Sequence, residues 1–106
     1  MVVTDRYRDI WKKLYQYPHL ARVLEKQLDL KTQPITREEQ LFVTELIFHL
    51  DTVFQAMSQG LLKRPEGIHI DIQEFFSLPI PKTVWENSKH FRGKKFEKFV
   101  EGSMEK

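Results

Sequence analysis

The chain has 106 residues, of which 41% are hydrophobic and 30% charged, and it contains no cysteine. A chain this short has room for one hydrophobic core, and its composition is that of a globular protein, so we expect a single folded domain over residues 1–106. The 17 Lys and Arg residues outnumber the 15 Asp and Glu residues too slightly to make nucleic acid or an anionic membrane the default partner. The lack of cysteine excludes disulfides and thiolate chemistry, and it agrees with a reducing compartment.

The first predicted element is a helix over residues 4–16. Apolar residues recur there at the three- and four-residue spacing of one helical face, and Thr4 stands where an N-cap is expected. Pro18 disfavours helical angles at the residue before it, yet apolar residues continue at helical spacing as far as Leu28. The pattern therefore predicts either a kinked helix or two helices that meet at Pro18.

Targeting and membrane signals are not found in this sequence. The first six residues lack the basic lead and apolar block of a secretory signal. No segment approaches the roughly 20 predominantly apolar residues that a membrane-spanning helix needs. We therefore expect no membrane span and a cytoplasmic location.

A long central helix is predicted over residues 36–59. Thr36 and Glu39 form the Thr-x-x-Glu pattern of a capping box, in which the two residues satisfy each other's backbone N–H groups. Polar residues, among them His49, are expected on the solvent side. At 100° per residue, the apolar side chains fall within an arc of about 140° and define a core-facing stripe: Phe42, Val43, Leu46, Ile47, Leu50, Val53, Phe54 and Met57.

The segment that follows offers two alternatives. Gly60 suits a left-handed cap that ends the central helix, with Leu61 folding back onto it. Residues 68–72 then alternate between apolar and polar as a strand would, but no other segment alternates, so such a strand would pair only with a second copy. A short helix that is capped at Asp71 and runs through Phe76 competes with it, and we favour the helix.

Two further helices are predicted in the last third of the chain. Residues 78–81 are expected to be extended, because each proline restricts the residue before it, and Pro81 then opens a helix to about His90. A last helix ends near Gly102, leaving residues 103–106 frayed, and its apolar face consists of Phe96, Phe99 and Val100. The expected fold class is all-α, a small bundle of four to six helices around the central helix.

The residues that could carry chemistry do not form a recognisable site. Glu45 and His49 stand four apart on a helix, and His69 and Asp71 would share one side of a strand, but each pair lacks a third metal ligand. No serine lies in a Gly-x-Ser-x-Gly elbow, and the four glycines are too dispersed for a phosphate-binding loop. We therefore expect no catalytic residues, no metal and no cofactor.

The segment 82–98 has the largest local excess of positive charge. Basic residues interleaved with aromatic ones are typical of single-stranded nucleic-acid binding, because cations follow the phosphates while rings stack on the bases. The sequence favours the alternative, in which the rings of Trp85, Phe91, Phe96 and Phe99 lie in the core and the lysines face water. The candidate anion-binding residues are Lys89, Arg92, Lys94, Lys95 and Lys98.

Leu41 and Phe48 are the two apolar residues that the central helix does not explain. They lie seven residues apart, near the middle of its polar arc. Either another helix of the same chain covers them, or they form a contact for a partner protein or a second copy. The sequence favours intramolecular cover, and it makes Leu41 and Phe48 the candidate partner-binding residues if they are exposed.

A set of short motifs resembles a known group of proteins. In chain order they are Tyr17-Pro18-His19-Leu20, the helix opened by Glu38-Glu39, the pair Trp85-Glu86, and Phe96-Glu97-Lys98-Phe99-Val100. The order is similar to that in the helical domain of uncharacterised bacterial proteins, many of them membrane-anchored. The resemblance implies an all-helical fold without an established activity, and it assigns no functional residue. The chain departs from the anchored members because it has no membrane helix upstream.

The sequence as a whole therefore predicts a non-enzymatic helical module with a protein-interaction or regulatory role. Its expected partner is an unidentified protein or a second copy in a homodimer. The alternative is single-stranded nucleic-acid binding through the basic and aromatic segment 82–98.

Overall fold

The fold is all-α. The structure, a computed structural model, describes residues 12–105, and every regular element in that range is helical. Residues 12–16 are helical and form the described part of α1, followed by a 3₁₀-helix η1 at Pro18–Leu24. The remaining elements are α2 at Arg37–Ser58, α3 at Ile68–Phe75, α4 at Pro79–Ser88, a short 3₁₀-helix η2 at Lys89–Phe91, and α5 at Lys94–Met104.

Pro18 separates α1 from η1. Of the helix predicted over 4–16, residues 4–11 lie outside the described residues. Tyr17 has φ −127° and ψ 80°, outside the helical region, because a proline disfavours helical angles at the residue before it. The alternative with two helices that meet at Pro18 is therefore correct. The second helix is a 3₁₀-helix, and it ends before Leu28.

The central helix α2 begins and ends with the predicted caps. The Thr36 hydroxyl accepts a hydrogen bond from the Glu39 N–H at 3.1 Å, and the Glu39 carboxylate accepts one from the Thr36 N–H at 2.9 Å. At the other end Gly60 has φ 73°, and the N–H of Leu61 donates to the carbonyl of Ala56 at 2.9 Å, which satisfies a terminal carbonyl. The side chain of Leu61 is exposed, so the prediction that it folds back onto the helix is wrong.

Residues 68–72 belong to a helix, as favoured. The helix begins at Ile68, before the expected cap at Asp71, because Gly67 with φ 77° turns the chain into it. Ile68 and Ile72 are buried and stand four residues apart, so the alternation that suggested a strand is also compatible with one helical face.

The prolines that precede α4 lie inside it rather than before it. Only Leu78 is extended, with φ −74° and ψ 145°, whereas the helix starts at Pro79 and includes Ile80 and Pro81. The prediction of extended backbone through residue 81 is therefore wrong. The N–H groups of the first turn of a helix have no intrahelical acceptor, so prolines at its first and third positions cost no hydrogen bond.

The C-terminal helix α5 is longer than predicted. It continues through Gly102 to Met104, and the side chain of Ser103 is 1% exposed. Helix α5 packs against α3, and the last turn of α5 lies in the interface between them. The prediction that the chain frays from residue 103 is wrong for the described residues.

The core contains a chain of packed aromatic side chains. Trp85 of α4 packs against Phe76, with ring centroids 5.5 Å apart, and against Phe96 of α5 at 5.8 Å. Helix α2 lies against α4 and η1, and it contributes buried Val43 and Ile47. Within residues 12–105, the helices lack the combination of length and hydropathy that crossing a bilayer requires.

Candidate functional site

Leu41 and Phe48 form an exposed apolar strip on α2. Leu41 is 58% exposed and Phe48 51% exposed, so residues 12–105 do not supply the intramolecular cover that was favoured, whereas residues 4–11 of the helix expected to supply it lie outside the described residues. The guanidinium carbon of Arg92 lies 3.9 Å from the centroid of the Phe48 ring, a cation–π contact. We refer to Leu41, Phe48 and Arg92 together as the Leu41–Phe48 face.

Two charged residues, Glu45 and Arg92, lie at this face. Glu45 lies between Leu41 and Phe48 on the same side of α2, and its carboxylate pairs with the ammonium of Lys13 of α1 at 2.5 Å. The Nε atom of Arg92 is buried and has no hydrogen-bond acceptor among the described residues. A buried donor without an acceptor costs about 1–3 kcal/mol, so Arg92 is held by its stacking on Phe48 and not by a hydrogen bond from Nε.

The five candidate anion-binding residues fall into different environments. Lys89 binds two carboxylates, that of Glu86 at 3.1 Å and that of Glu101 at 3.0 Å. These hydrogen bonds, that to Glu101 first, raise the pKa of Lys89 above its ordinary value of 10.5, and burial opposes the shift. The charge of Lys89 is therefore neutralised within the protein and contributes little to an anion site.

The other lysines of this segment remain at the surface. Lys94, Lys95 and Lys98 are exposed on α5, and no carboxylate of residues 12–105 forms an ion pair with them. Phe91 in η2 is 87% exposed, so the prediction that its ring lies in the core is wrong. Phe91 belongs to the three-residue 3₁₀-helix η2, so the α-helical spacing on which that prediction depended does not apply to it.

A broad groove lies on another side of α2. It has a volume of about 930 Å³ and runs between α2 and α3, with mainly apolar walls that include Leu46, Leu50 and Ile72. His49 lines this groove and is buried, so the prediction of a solvent-facing His49 is wrong. The prediction placed His49 on the polar arc although its direction differs from that of Phe42 by only about 20° at 100° per residue.

The two histidine pairs considered as metal ligands do not come together as pairs. Glu45 binds Lys13, whereas His49 lines the groove. His69 contacts Arg64 through Nε2, and its Nδ1 lies 2.6 Å from the hydroxyl of Ser103. Among the described residues, no three His, Asp or Glu side chains stand close enough together to hold a metal ion.

The contact between His69 and Ser103 brings together a base and a hydroxyl that the sequence analysis did not connect. The Ser103 hydroxyl is buried and also donates to the carbonyl of Phe99 at 2.9 Å. A nucleophile has to reach a substrate atom, and this hydroxyl lies inside the α3–α5 interface. The pair therefore joins two helices.

A buried ion pair was also missed. Glu39 of the capping box is buried, and its carboxylate lies 3.3 Å from Nε of Arg22 in η1. The second guanidinium arm of Arg22 donates to the carbonyl of Gln33 at 2.7 Å. Glu39 lies at the centre of the apolar arc of α2, which is the sequence signal that could have identified its burial.

Comparison of the chain with protein-family models, with curated proteins and with solved structures gives no match. The resemblance to helical domains of bacterial proteins stays a prediction. The structure places the chain in the class of small all-helical proteins.

Proposed function

We propose that this protein is a protein-interaction module that binds a partner protein through the Leu41–Phe48 face and carries out no catalytic step itself. One observation supports this above the others. Two large apolar side chains stay half exposed on one face of the longest described helix, and a guanidinium lies across one of them. Exposed apolar surface rimmed by polar groups is typical of binding sites, and Phe and Arg are enriched at interfaces.

Covering this face would release free energy. Full burial of a Leu or Phe side chain contributes about 1.5–3 kcal/mol, so covering the exposed halves of Leu41 and Phe48 contributes about 0.8–1.5 kcal/mol each. The cation–π contact becomes stronger when water is excluded from it. Arginine is also one of the residues that most often contribute a large share of the binding energy at interfaces.

A partner of different sequence fits this face better than a second copy. In a two-fold symmetric dimer the same patch meets itself, so Arg92 and the nearby lysines of one copy would approach those of the other. Like charges that face each other across an interface oppose association. We therefore propose that the partner is a protein of different sequence.

The test is a selection of helical peptides from a displayed library on the purified protein, followed by affinity measurements with variants. Leu41→Ser/Phe48→Ser removes the apolar strip. Leu61→Ser/Ile70→Ser is the matched control, because Leu61 is 76% and Ile70 59% exposed outside the face. We expect the first variant to lower the affinity of selected peptides at least about tenfold, and the control to leave it unchanged.

Two outcomes would contradict the proposal. One is that the selected peptides bind the Leu41→Ser/Phe48→Ser variant as well as they bind the original protein, provided that circular dichroism shows both to be helical. The other is a concentration-dependent dimer, detected by light scattering, that the variant abolishes, since the face would then bind a second copy.

A second candidate function has its own observation. The exposed ring of Phe91 is followed along the chain by the exposed Lys94, Lys95 and Lys98, and rings together with cations are the combination that stacks on bases and follows phosphates. The second candidate is therefore single-stranded nucleic-acid binding. Titration of labelled oligo(dT) should then give an affinity that falls steeply with salt and that decreases on Phe91→Ala. Absence of binding at low salt would eliminate this candidate.

A further inference from the structure

We infer that the segment recognised by the Leu41–Phe48 face is an acidic amphipathic helix of the partner protein. This inference rests on the proposed function and adds the chemistry of the partner to it. The apolar strip favours apolar partner side chains at the centre of the contact. The charges around the strip favour partner side chains of opposite charge at its edge.

Arg92 is the charged residue that contacts the Phe48 ring. Its guanidinium is fixed 3.9 Å from the Phe48 ring centroid, so it is already positioned before a partner arrives. A planar guanidinium pairs best with a carboxylate, which accepts two parallel hydrogen bonds. A carboxylate at the edge of the partner would therefore find a preorganised cation.

Further positive charge follows directly along the chain. Consecutive Cα atoms are 3.8 Å apart, so the Cα atom of Lys95 lies within about 11 Å of that of Arg92. Lys94 and Lys95 are exposed and have no carboxylate partner within residues 12–105. The nearby carboxylates of Glu86 and Glu101 are occupied by Lys89. Arg92, Lys94 and Lys95 thus form a run of positive charge that pairs with no carboxylate of residues 12–105, whereas the Glu45 carboxylate within the strip is paired with Lys13.

The geometry of the strip fits a helix. Leu41 and Phe48 are seven residues apart on α2, which corresponds to about 10.5 Å along its axis, or two helical turns. A partner helix with apolar residues at three- and four-residue spacing presents its side chains at the same interval. Residues 12–105 contain no strand, so there is no described sheet edge to which an extended peptide could add.

The same positive charge would attract nucleic acid, but the centre of the face is unsuited to it. Leu41 has no ring for base stacking, and the Phe48 ring is already covered on one side by Arg92. The exposed aromatic ring that suits stacking is Phe91, which is not part of the strip. The observations at the Leu41–Phe48 face therefore favour a protein helix.

The experiment compares three labelled peptides of about 18 residues, long enough to form a helix, by fluorescence anisotropy. All three carry leucine at the same three- and four-residue spacing, and their polar positions are filled with glutamate, glutamine or lysine. We expect the glutamate peptide to bind at least about tenfold more tightly than the glutamine peptide, and the lysine peptide to bind least. Arg92→Gln should weaken binding of the glutamate peptide more than that of the glutamine peptide.

The controls separate this inference from the proposed function. Equal affinity for the glutamate and glutamine peptides, both weakened by Leu41→Ser/Phe48→Ser, would contradict the acidic partner and leave the interaction face in place. Failure of every peptide to bind, together with unchanged binding of library-selected peptides to that variant, would contradict both. A third outcome is that oligo(dT) binds, that the glutamate peptide does not, and that Arg92→Gln abolishes the oligo(dT) binding. The face would then bind nucleic acid, which would contradict the inference.

Discussion

Glu39 is a charged residue at a position where the helix presents its apolar side. It serves two groups at once, because its carboxylate accepts the N–H of Thr36 at 2.9 Å and faces the Arg22 guanidinium at 3.3 Å. One buried carboxylate thus fixes the start of α2 and joins it to η1. Glu38 next to it differs, because its side chain is mostly exposed where it pairs with His19 at 2.5 Å.

The two glutamates should therefore respond differently to the same substitution. Glu39→Gln keeps the size and the capping capacity of the side chain but removes the charge opposite Arg22. We expect it to lower the free energy of unfolding by about 1–3 kcal/mol, measured by urea denaturation. Glu38→Gln is the matched control and should change it by less than about 0.5 kcal/mol. Equal effects of the two substitutions would contradict the role assigned to Glu39.

Lys89 provides a prediction on pH. Its pKa in the folded protein is raised above 10.5 by the carboxylates of Glu101 and Glu86. A lysine with a raised folded pKa stabilises the protein fully below its unfolded pKa, and this stabilisation is lost as the pH rises through the folded pKa. We expect the stability difference between the original protein and Lys89→Met to be constant from neutral pH to about 10.5 and to shrink above it. A difference that does not change above this pH would contradict the pairing.

At the scale of elements, two phenylalanines that are five residues apart, one in η2 and one in α5, lie in opposite environments. Phe91 is exposed, whereas Phe96 is buried against Trp85 and Phe54. Phe96→Ala should therefore lower the free energy of unfolding by about 3–5 kcal/mol, and Phe91→Ala by less than about 0.5 kcal/mol. Thermal and urea denaturation of the two variants would measure this. A large loss on Phe91→Ala would place that ring in the core after all.

The end of α5 provides a second test at this scale. Ser103 is buried beside His69, and Met104 packs partly against the core. Deletion of residues 103–106 should lower the free energy of unfolding by about 1–3 kcal/mol, because it opens the α3–α5 interface. A frayed tail predicts no change. An unchanged midpoint in urea denaturation would therefore support the sequence-based expectation against the structure.

The sequence predicted those elements whose signals are local. The capping box of Thr36 and the left-handed Gly60 depend on residues within one helical turn, and both were found at the expected positions. The burial of Ser103 could not be predicted in this way, because it depends on His69 of α3, which lies 34 residues earlier in the chain. The prediction of extended backbone before Pro81 was wrong for a different reason. Ile80 and Pro81 lie in the first turn of α4, where the N–H that a proline lacks would have no intrahelical acceptor.

At the scale of the whole molecule, half of the candidate site could be predicted. Leu41 and Phe48 were identifiable because they lie opposite the apolar stripe of α2. Their exposure could not be predicted, because it depends on which faces of α2 the other helices cover. The position of Arg92 over Phe48 could not be predicted from the sequence either, because it brings together residues from α2 and from the connection between η2 and α5.

The assembled molecule thus presents two different surfaces on α2. One is the Leu41–Phe48 face with its positive edge, and the other is the groove lined by His49 and Ile72. Our account assigns partner binding to the first. The two surfaces have no residue in common, so a binding experiment that reports position can distinguish them.

The most direct test is a titration of the ¹⁵N-labelled protein with the glutamate peptide, followed by NMR chemical shifts of the backbone amides. The account predicts that the largest shifts occur at residues 41, 45, 48 and 92, with small shifts at His49 and Ile72. Largest shifts along the groove, or no shifts at any peptide concentration, would contradict it.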